Sequence, residues 1–579
     1  MTRPSGAVHV VTTRKHYKDK TYTAHLLRRS YREHGKVKNE TVGNLSHLPP
    51  PHVVALVRRA LKGERFAATE ELFEIVASAQ HGNVQAVVTT MKRVGVDRLL
   101  DARPSCERRL VLGMIAARIL EPQSKLATTR WWHVTTLPQE LDIVDATEDD
   151  LYDALDWLLT RQDRIEKTLA ARHFESGGIT LYDLTSSYFE GATCPLARRG
   201  YSRDGKTGTL QINYGLLTDR RGCPVAVSVY AGNTSDSTTL LPAATKLRED
   251  FGLDSVVLVG DRGMISQTQI EALRDVEHID WITALKTGAI RTLLKGGALQ
   301  MGLFDERNLF ELTDPAFPGE RLVACRNREL AKLRTHKRQS LIEATVRELE
   351  QVQGMVRRGR LVGKDPIGGR VGRVINKYKV AKHVALEIED GQLAFRIRQD
   401  RVDAEAALDG VYVIRTSLSE ETLSADETVR SYKLLTLVER AFRSFKTMDL
   451  KVRPIRHRRE DRVRAHIFLC MLAYYVQWHI QEAWRPVTFA DEDQEATRTR
   501  DPVAPARRSD DALRKAHDRR LTDGTTVQSS QTLLTNLSTI VRNTCRRQDA
   551  TEGEGTFTLT TTPTDMQRRA LKLLANIAL

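Results

Sequence analysis

Between residues 179 and 285 the sequence alternates short extended runs with helical ones. The extended runs are 179–183, 211–218 and 224–232; a helical run follows near 238–251, then an extended run at 255–260, a helix over 267–274 and an extended run at 281–285. This order, β-β-β-α-β-α-β, limits the fold more than any other feature. Three consecutive strands fit antiparallel pairing through short turns, whereas a fourth that returns through a helix lies parallel to the first. A mixed α/β sheet is expected, with its first and fourth strands neighbours about 5 Å apart.

That sheet is one part of a long chain. At 579 residues and 41% hydrophobic content the protein exceeds what one core supports, so further domains or insertions are expected around the sheet. The 89 Lys/Arg against 74 Asp/Glu give a net charge of +15, and residues 1–62 alone hold 13 Lys/Arg against 3 Asp/Glu. A phosphate-rich partner fits this excess, and so does a basic surface kept for solubility. Six dispersed cysteines without a CxxC pair argue against a disulfide framework or a zinc ribbon. The longest apolar run, 467–476, is about half of the roughly 20 residues that cross a bilayer, and no signal-peptide core opens the sequence, so a cytosolic location is expected.

Two carboxylates close apolar runs: Asp183 follows 179–182, and Asp261 follows 256–260 and precedes Arg262 and Gly263. Each is expected at a strand end, on the neighbouring first and fourth strands, where both reach a cation that Asp oxygens bind at about 2 Å. Asp is also common wherever a strand gives way to a turn, so a third group matters. The segment 431–446, SYKLLTLVERAFRSFK, supplies it. On one continuous helix Leu434, Val438, Ala441 and Phe445 form an apolar stripe, while Tyr432, Glu439 and Lys446, each seven apart, share another face. Glu439 then points at the cation pair with Tyr432 and Lys446 beside it as phosphate-binding groups. A solvated helix with Glu439 paired to Arg443 is the alternative from these residues alone.

Elsewhere the pattern is helical at 84–100, 108–120 and 149–173. Trp131 and Trp132, beside Lys125 and Arg130, form either a base-stacking edge or, more commonly for tryptophans near helices, core packing. Residues 327–357 read as a charged helix and 381–398 as a hairpin turned at 389–391. Glycine-rich 359–372 lacks the spacing of a nucleotide-binding loop and is expected to be an ordinary loop. A polar linker is expected at 491–523. In the tail, Thr562-Pro563-Thr564-Asp565 reads as a helix start with Pro at the first helical position.

These segments resemble the DDE transposases of bacterial insertion sequences that carry a Tyr, Arg, Glu, Lys signature with gaps of two, three and six. Tyr432, Glu439 and Lys446 match in register, whereas Leu435 stands at the arginine position. TLYDLTSSYFEG around Asp183, AGNTSD at 231–236, VLVGDRGM around Asp261 and KVRPIRHRREDRVRAH after the signature extend the resemblance. The strand order fits a ribonuclease H-like mixed-sheet catalytic core, and the resemblance adds a large α+β insertion and a helical N-terminal region. The expected boundaries are a basic β/α unit at 1–62, a helical DNA-binding region at 63–175, core at 176–289, insertion at 290–425, core with the signature helix at 426–489, and linker with helical tail at 490–579.

The resemblance implies Asp183, Asp261 and Glu439 as the catalytic, metal-binding triad, with two Mg²⁺ ions per site, or Mn²⁺ in their place, for DNA cleavage and strand transfer. Tyr432, Arg443, Lys446, Lys451, Arg453 and Arg456 are the expected DNA contacts. The expected partners are double-stranded DNA, as element ends and target, and a second copy of the chain. Two other readings use the same residues: a DNA-binding protein that has lost cleavage, and a structure-specific nuclease on the same fold. The first predicts a missing carboxylate, and all three are present. Terminal inverted repeats flanking the coding region would exclude the second.

Overall fold

The computed structural model describes residues 6–18, 20–47, 51–63, 73–491, 493, 499–547 and 555–578. Two compact units divide it: residues 1–78 with 542–560, and residues 79–541 with 561–579.

In the first unit β1 (Val8–Tyr17), β2 (Lys20–Glu33) and β3 (Lys36–Asn44) form an antiparallel sheet in that order. Arg14, Lys15, Lys36 and Lys38 on these strands are exposed. A helix, Pro51–Ala60, and β4 (Phe73–Gln80) follow. The expected boundary at 62/63 adjoins 64–72, which lie outside the described residues, and Pro51 opens the helix. A strand at 73–80 was not expected in a stretch read as helical.

The second unit is built around the helix Glu460–Ala483, apolar on nearly every side and buried from Ala465 to Ile480. Helices Gly82–Arg93, Cys106–Leu120 and Glu148–Leu159 pack on it. Trp132 is fully buried beneath them, so it is a core residue. Helix Gln162–His173 then leads into the sheet.

That sheet comprises β5 (Ile179–Tyr188), β6 (Arg198–Arg199), β7 (Leu210–Asp219), β8 (Pro224–Ala231), β9 (Val256–Val259), β10 (Ile279–Ala284), β11 (Leu309–Leu312) and β12 (Arg321–Arg326). A hairpin of β13 (Val384–Glu389) and β14 (Gln392–Ile397) stands apart, and β15 (Val411–Thr416) rejoins the sheet. The order is β11-β12-β15-β10-β9-β5-β7-β6, with β8 on β7. β5, β7 and β8 are antiparallel, and β9 is parallel to β5, as the element order requires. The architecture is a mixed α/β fold with a large mixed sheet.

The sheet corrects several expectations. It runs on into the stretch read as an insertion, because β11, β12 and β15 extend it past β10. The long helix Arg328–Arg357, the helix Lys364–Tyr378 and the β13–β14 hairpin form an apolar cluster of their own, while residues from 285 to 304 pack with β12 and β15 in another. Lys364–Tyr378 overlaps the stretch expected to be a loop. Its Ile367, Val371, Val374 and Ile375 recur at helical spacing and bury in the first of these clusters, which outweighs the cost of Gly368, Gly369 and Gly372. Residues 431–446 are not one helix: Ala425–Lys433 ends at Leu434, Leu435–Arg443 follows, and 444–448 form a wider π turn.

The tail also differs. Part of the expected linker, 492 and 494–498, lies outside the described residues, and a helix, Asp510–Asp518, interrupts the rest. β16 (Val541–Arg547) and β17 (Thr556–Thr560) pair with each other, in a three-stranded sheet that includes β4. The last helix, Asp565–Ala575, is capped by Thr564 and Gln567 in a reciprocal box, so Pro563 precedes the cap rather than starting the helix. Its Leu574 and Ala570 are buried, and Trp484 Nε1 donates to the Ala570 carbonyl at 3.0 Å.

Candidate active site and its basic surround

β5 and β9 are adjacent parallel strands in register at Leu181↔Val259. Asp183 and Asp261 each lie two residues beyond that pair, which brings both carboxylates to the same edge of the sheet. Asp261 stands past the end of β9, as expected. Asp183 does not stand at a strand end: β7 is longer than β9, and β5 keeps pairing with it through Tyr188, with Asp183 opposite Leu216. Asp183 Oδ1 accepts the Leu184 N–H at 2.8 Å, and Asp261 Oδ2 accepts the Gly263 N–H at 3.3 Å.

The helix Leu435–Arg443 packs across β5 through its apolar stripe, of which Val438 and Ala441 are fully buried. Glu439, next to Val438 in sequence, is exposed, and its charge acts on both Asp183 and Tyr432. Tyr432, one helix earlier, donates its hydroxyl to Asp261 Oδ1 at 3.4 Å. Burial, together with the negative charges of Asp261 and Glu439, pushes the Asp183 carboxyl up to about 7, against the Leu184 N–H and Arg203, which favour its charge. The Tyr432 phenol is pushed up by burial and by Asp261. The structure therefore brings Asp183, Asp261, Glu439 and Tyr432 together.

The basic residues divide. Lys446 is buried in the π turn, where its Nζ pairs with Asp204 Oδ1 at 3.0 Å, and Arg453 reaches the same oxygen at 2.5 Å. Burial pulls the Lys446 amine below its ordinary range. Arg456 pairs with Glu190 at 3.0 Å on the surface, while Arg443 and Lys451 are exposed. Leu435, at the signature arginine position, is half-buried against the core. A cation is present nonetheless, since Arg262 lies close enough to favour the charged form of Tyr432.

Sequence reasoning missed Arg203, Asp204 and Arg262. The first two sit in the loop RRGYSRDGKTG between β6 and β7, a basic stretch whose Asp was the available signal, and Arg203 is paired with Asp236 of the AGNTSD run. A cavity of about 700 Å³ opens beside Asp261, Arg262 and Tyr432, and Arg291, Arg334, Lys337 and Lys382 line it from the other side.

Residues 174–476 match the family model described as the transposase DDE domain, a span that holds all three carboxylates. The chain belongs to the DDE transposases. Residues 10–74 of this transposase match a second model, the N-terminal domain of IS1634 family transposases. The enzyme is thus a DNA transposase of an insertion sequence. No curated protein matches it. Among solved structures it is similar to the piggyBac transposase synaptic complex with hairpin DNA, at 9% identity and a TM-score of 0.32, over 79% of this chain and 76% of that one. No helix among the described residues is long and apolar enough to cross a membrane.

Proposed function

We propose that this transposase cuts the ends of its element and joins them to target DNA in the bacterial cytosol, with Asp183, Asp261 and Glu439 as its catalytic triad on a ribonuclease H-like core. The observation that carries the reading is electrostatic. Three carboxylates from two adjacent strands and a crossing helix converge, and the buried one is pushed up to about 7, first by its burial and then by the negative charge of the other two.

Such a set fits divalent cations, because all its donors are hard oxygens and their mutual repulsion is relieved by positive charge. Asp183, Asp261 and Glu439 would hold Mg²⁺, or Mn²⁺, as a pair of ions. Bound there, the pair supplies the charge stabilisation and nucleophile activation of phosphoryl transfer. The chain's own residues orient the rest. Tyr432 fixes the Asp261 carboxylate through its hydroxyl, and the cations Arg262, Arg291, Arg334 and Lys337 offer phosphate-binding groups along the cavity. Arg443, Lys451 and Arg456 extend the basic surface, with Tyr432 beside Asp261, and Lys446 and Arg453, paired with Asp204, complete the expected DNA contacts. The active species is a homodimer on double-stranded element ends. Residues 1–62 and 63–175 serve the binding of those ends, 176–289 and 426–489 form the core, the part of 290–425 outside the sheet is the insertion, and 490–579 the linker and tail.

The test is single substitution. Asp183→Asn, Asp261→Asn and Glu439→Gln are each expected to abolish metal-dependent strand cleavage while terminal-DNA binding stays within about twofold, since each removes a ligand charge and little surface. Near-normal cleavage by any one variant removes that residue from the triad.

A further inference from the structure

Near the start of β5, three side chains from distant parts of the sequence meet: His173 at the end of the helix Gln162–His173, Cys223 in the turn between β7 and β8, and His479 on the central helix. One ring nitrogen of each histidine and Cys223 Sγ all lie within 4.8 Å of one another. The His173 side chain is 4% exposed, Cys223 is fully buried, and His479 is 7% exposed. His479 Nε2 has no hydrogen-bond partner among the described residues, an arrangement that costs free energy unless a ligand satisfies it. From this cluster we infer a structural zinc site with His173, Cys223 and His479 as its protein ligands.

The hydrogen bonds around His173 fix which of its nitrogens is available. Arg221 Nη2 lies 3.2 Å from Nδ1, and a guanidinium only donates, so Nδ1 carries the lone pair. Nε2 therefore bears the proton and donates to the Tyr475 hydroxyl at 3.1 Å, the outer hydrogen bond that commonly orients a metal-binding imidazole. The His173 lone pair thus already faces a cation. Arg221, whose side chain is 58% exposed, also pairs with the buried Asp219 at 2.8 Å, so a metal ion that takes its place must replace its charge beside Asp219 as well as beside His173.

Asp219 completes the surroundings. Its Oδ2 stands 4.0 Å from His173 Nδ1, and its Oδ1 accepts the N–H groups of Arg221 and Cys223 at 2.8 and 2.9 Å, which shapes the turn that presents the thiol. Two imidazoles, a thiol that deprotonates on binding and a nearby carboxylate suit Zn²⁺ and not Mg²⁺. Ligands at about 2.0–2.3 Å from zinc stand roughly 3.5 Å apart, so closing the site takes a shift of roughly 1 Å. Binding forms the sulfur–zinc bond and releases the thiol proton to solvent. An open cavity of about 1030 Å³, lined by His173, Asp219, Arg221 and His479, gives the ion a way in.

Zinc there would tie together the segment entering β5, the β7–β8 turn and the central helix, and so brace the strand that carries Asp183. The experiment loads the full chain with Zn²⁺, removes unbound metal by gel filtration, and measures metal by mass spectrometry. About one zinc ion per chain is expected in the wild type and in Asp183→Asn with Glu439→Gln, against less than a tenth of that in Cys223→Ser and His479→Gln. Co²⁺ loading should give a thiolate-to-cobalt charge-transfer band that Cys223→Ser lacks, and Zn²⁺ should raise the Tm of the wild type but not of Cys223→Ser. No retained zinc, or zinc that survives both ligand substitutions, overturns the site. Should a variant fail to fold, the wild-type cobalt spectrum decides alone: absence of the sulfur band refutes thiolate ligation.

Discussion

Asp183 carries the clearest residue-scale consequence. Its folded carboxyl titrates at about 7, chiefly from burial and then from Asp261 and Glu439, whereas an unfolded Asp titrates near 4. The native state therefore holds a proton that the unfolded chain has released. Stability of the metal-free protein falls as pH rises from about 4 through about 7, and the loss is complete above that. Asp183→Asn removes the ionisation, so at pH 8 in chelator it should be more stable than the wild type by about 4 kcal/mol, with the difference vanishing near pH 4. Denaturant unfolding at both values measures this, and a difference independent of pH would contradict it. Lys446 leads to the opposite expectation. With Arg453 it neutralises Asp204, whose side chain is 2% exposed, so Lys446→Ala should destabilise by about 2 kcal/mol and Asp204→Asn should recover part of that loss. A Lys446 that only touches DNA phosphates would instead leave the Tm unchanged, weaken binding to all sequences alike and flatten its salt dependence. The positions of Asp183 and Asp261 were legible in the sequence because apolar runs announce β5 and β9, and that of Glu439 because an apolar stripe announces its helix. Asp204 and Arg203 were not, since a loop's position over a site leaves no periodic trace.

Periodicity also explains which elements could be read and which could not. β5, β9 and the charged helix Arg328–Arg357 announce themselves by local pattern, and the β13–β14 hairpin by its Glu389-Asp390-Gly391 turn. The helix Lys364–Tyr378 was hidden because local glycine content favours a loop while its Ile and Val spacing pays off only against the neighbouring helix. In the signature region the break at Leu434 and the π turn at 444–448 shift Lys446 from the α-helical repeat into the interior. The seven-residue spacing of Tyr432, Glu439 and Lys446 therefore did not translate into one shared face. The tail shows a similar competition between folding back and reaching a partner. Its terminal helix Asp565–Ala575 packs on helix Gly82–Arg93 and on the central helix, with Leu574 and Ala570 buried and a hydrogen bond to Trp484. Deleting residues 561–579 should accordingly lower the Tm by at least about 5 °C and uncover Trp484, seen as a red shift of tryptophan emission. An unchanged Tm and emission would show that the tail adds nothing to the stability of this core.

At the scale of the molecule the question is how one active site serves two element ends. Excision needs cuts at both ends, and a single triad handles one scissile bond at a time, so two chains are expected to act together. Charge is arranged to suit this. Residues 1–62 carry 13 Lys/Arg against 3 Asp/Glu, and Arg14, Lys15, Lys36 and Lys38 stand exposed on one small sheet of the first unit. That sheet should supply a sequence-tolerant attraction through counterion release, while the cations around Asp261 act at the cut itself. Changing Arg14, Lys15, Lys36 and Lys38 to Gln in the full chain should weaken binding to terminal and unrelated DNA by similar factors and reduce the slope of log K against log salt by up to about 3.6, at about 0.9 for each lost phosphate contact. Loss confined to terminal DNA would instead assign these residues to sequence readout. Sedimentation of the full chain with and without terminal duplex then addresses assembly. A species of two chains and two duplexes, whose formation parallels cleavage at both ends, is the expected result, whereas a single DNA-bound chain that cuts both ends would refute dimeric action.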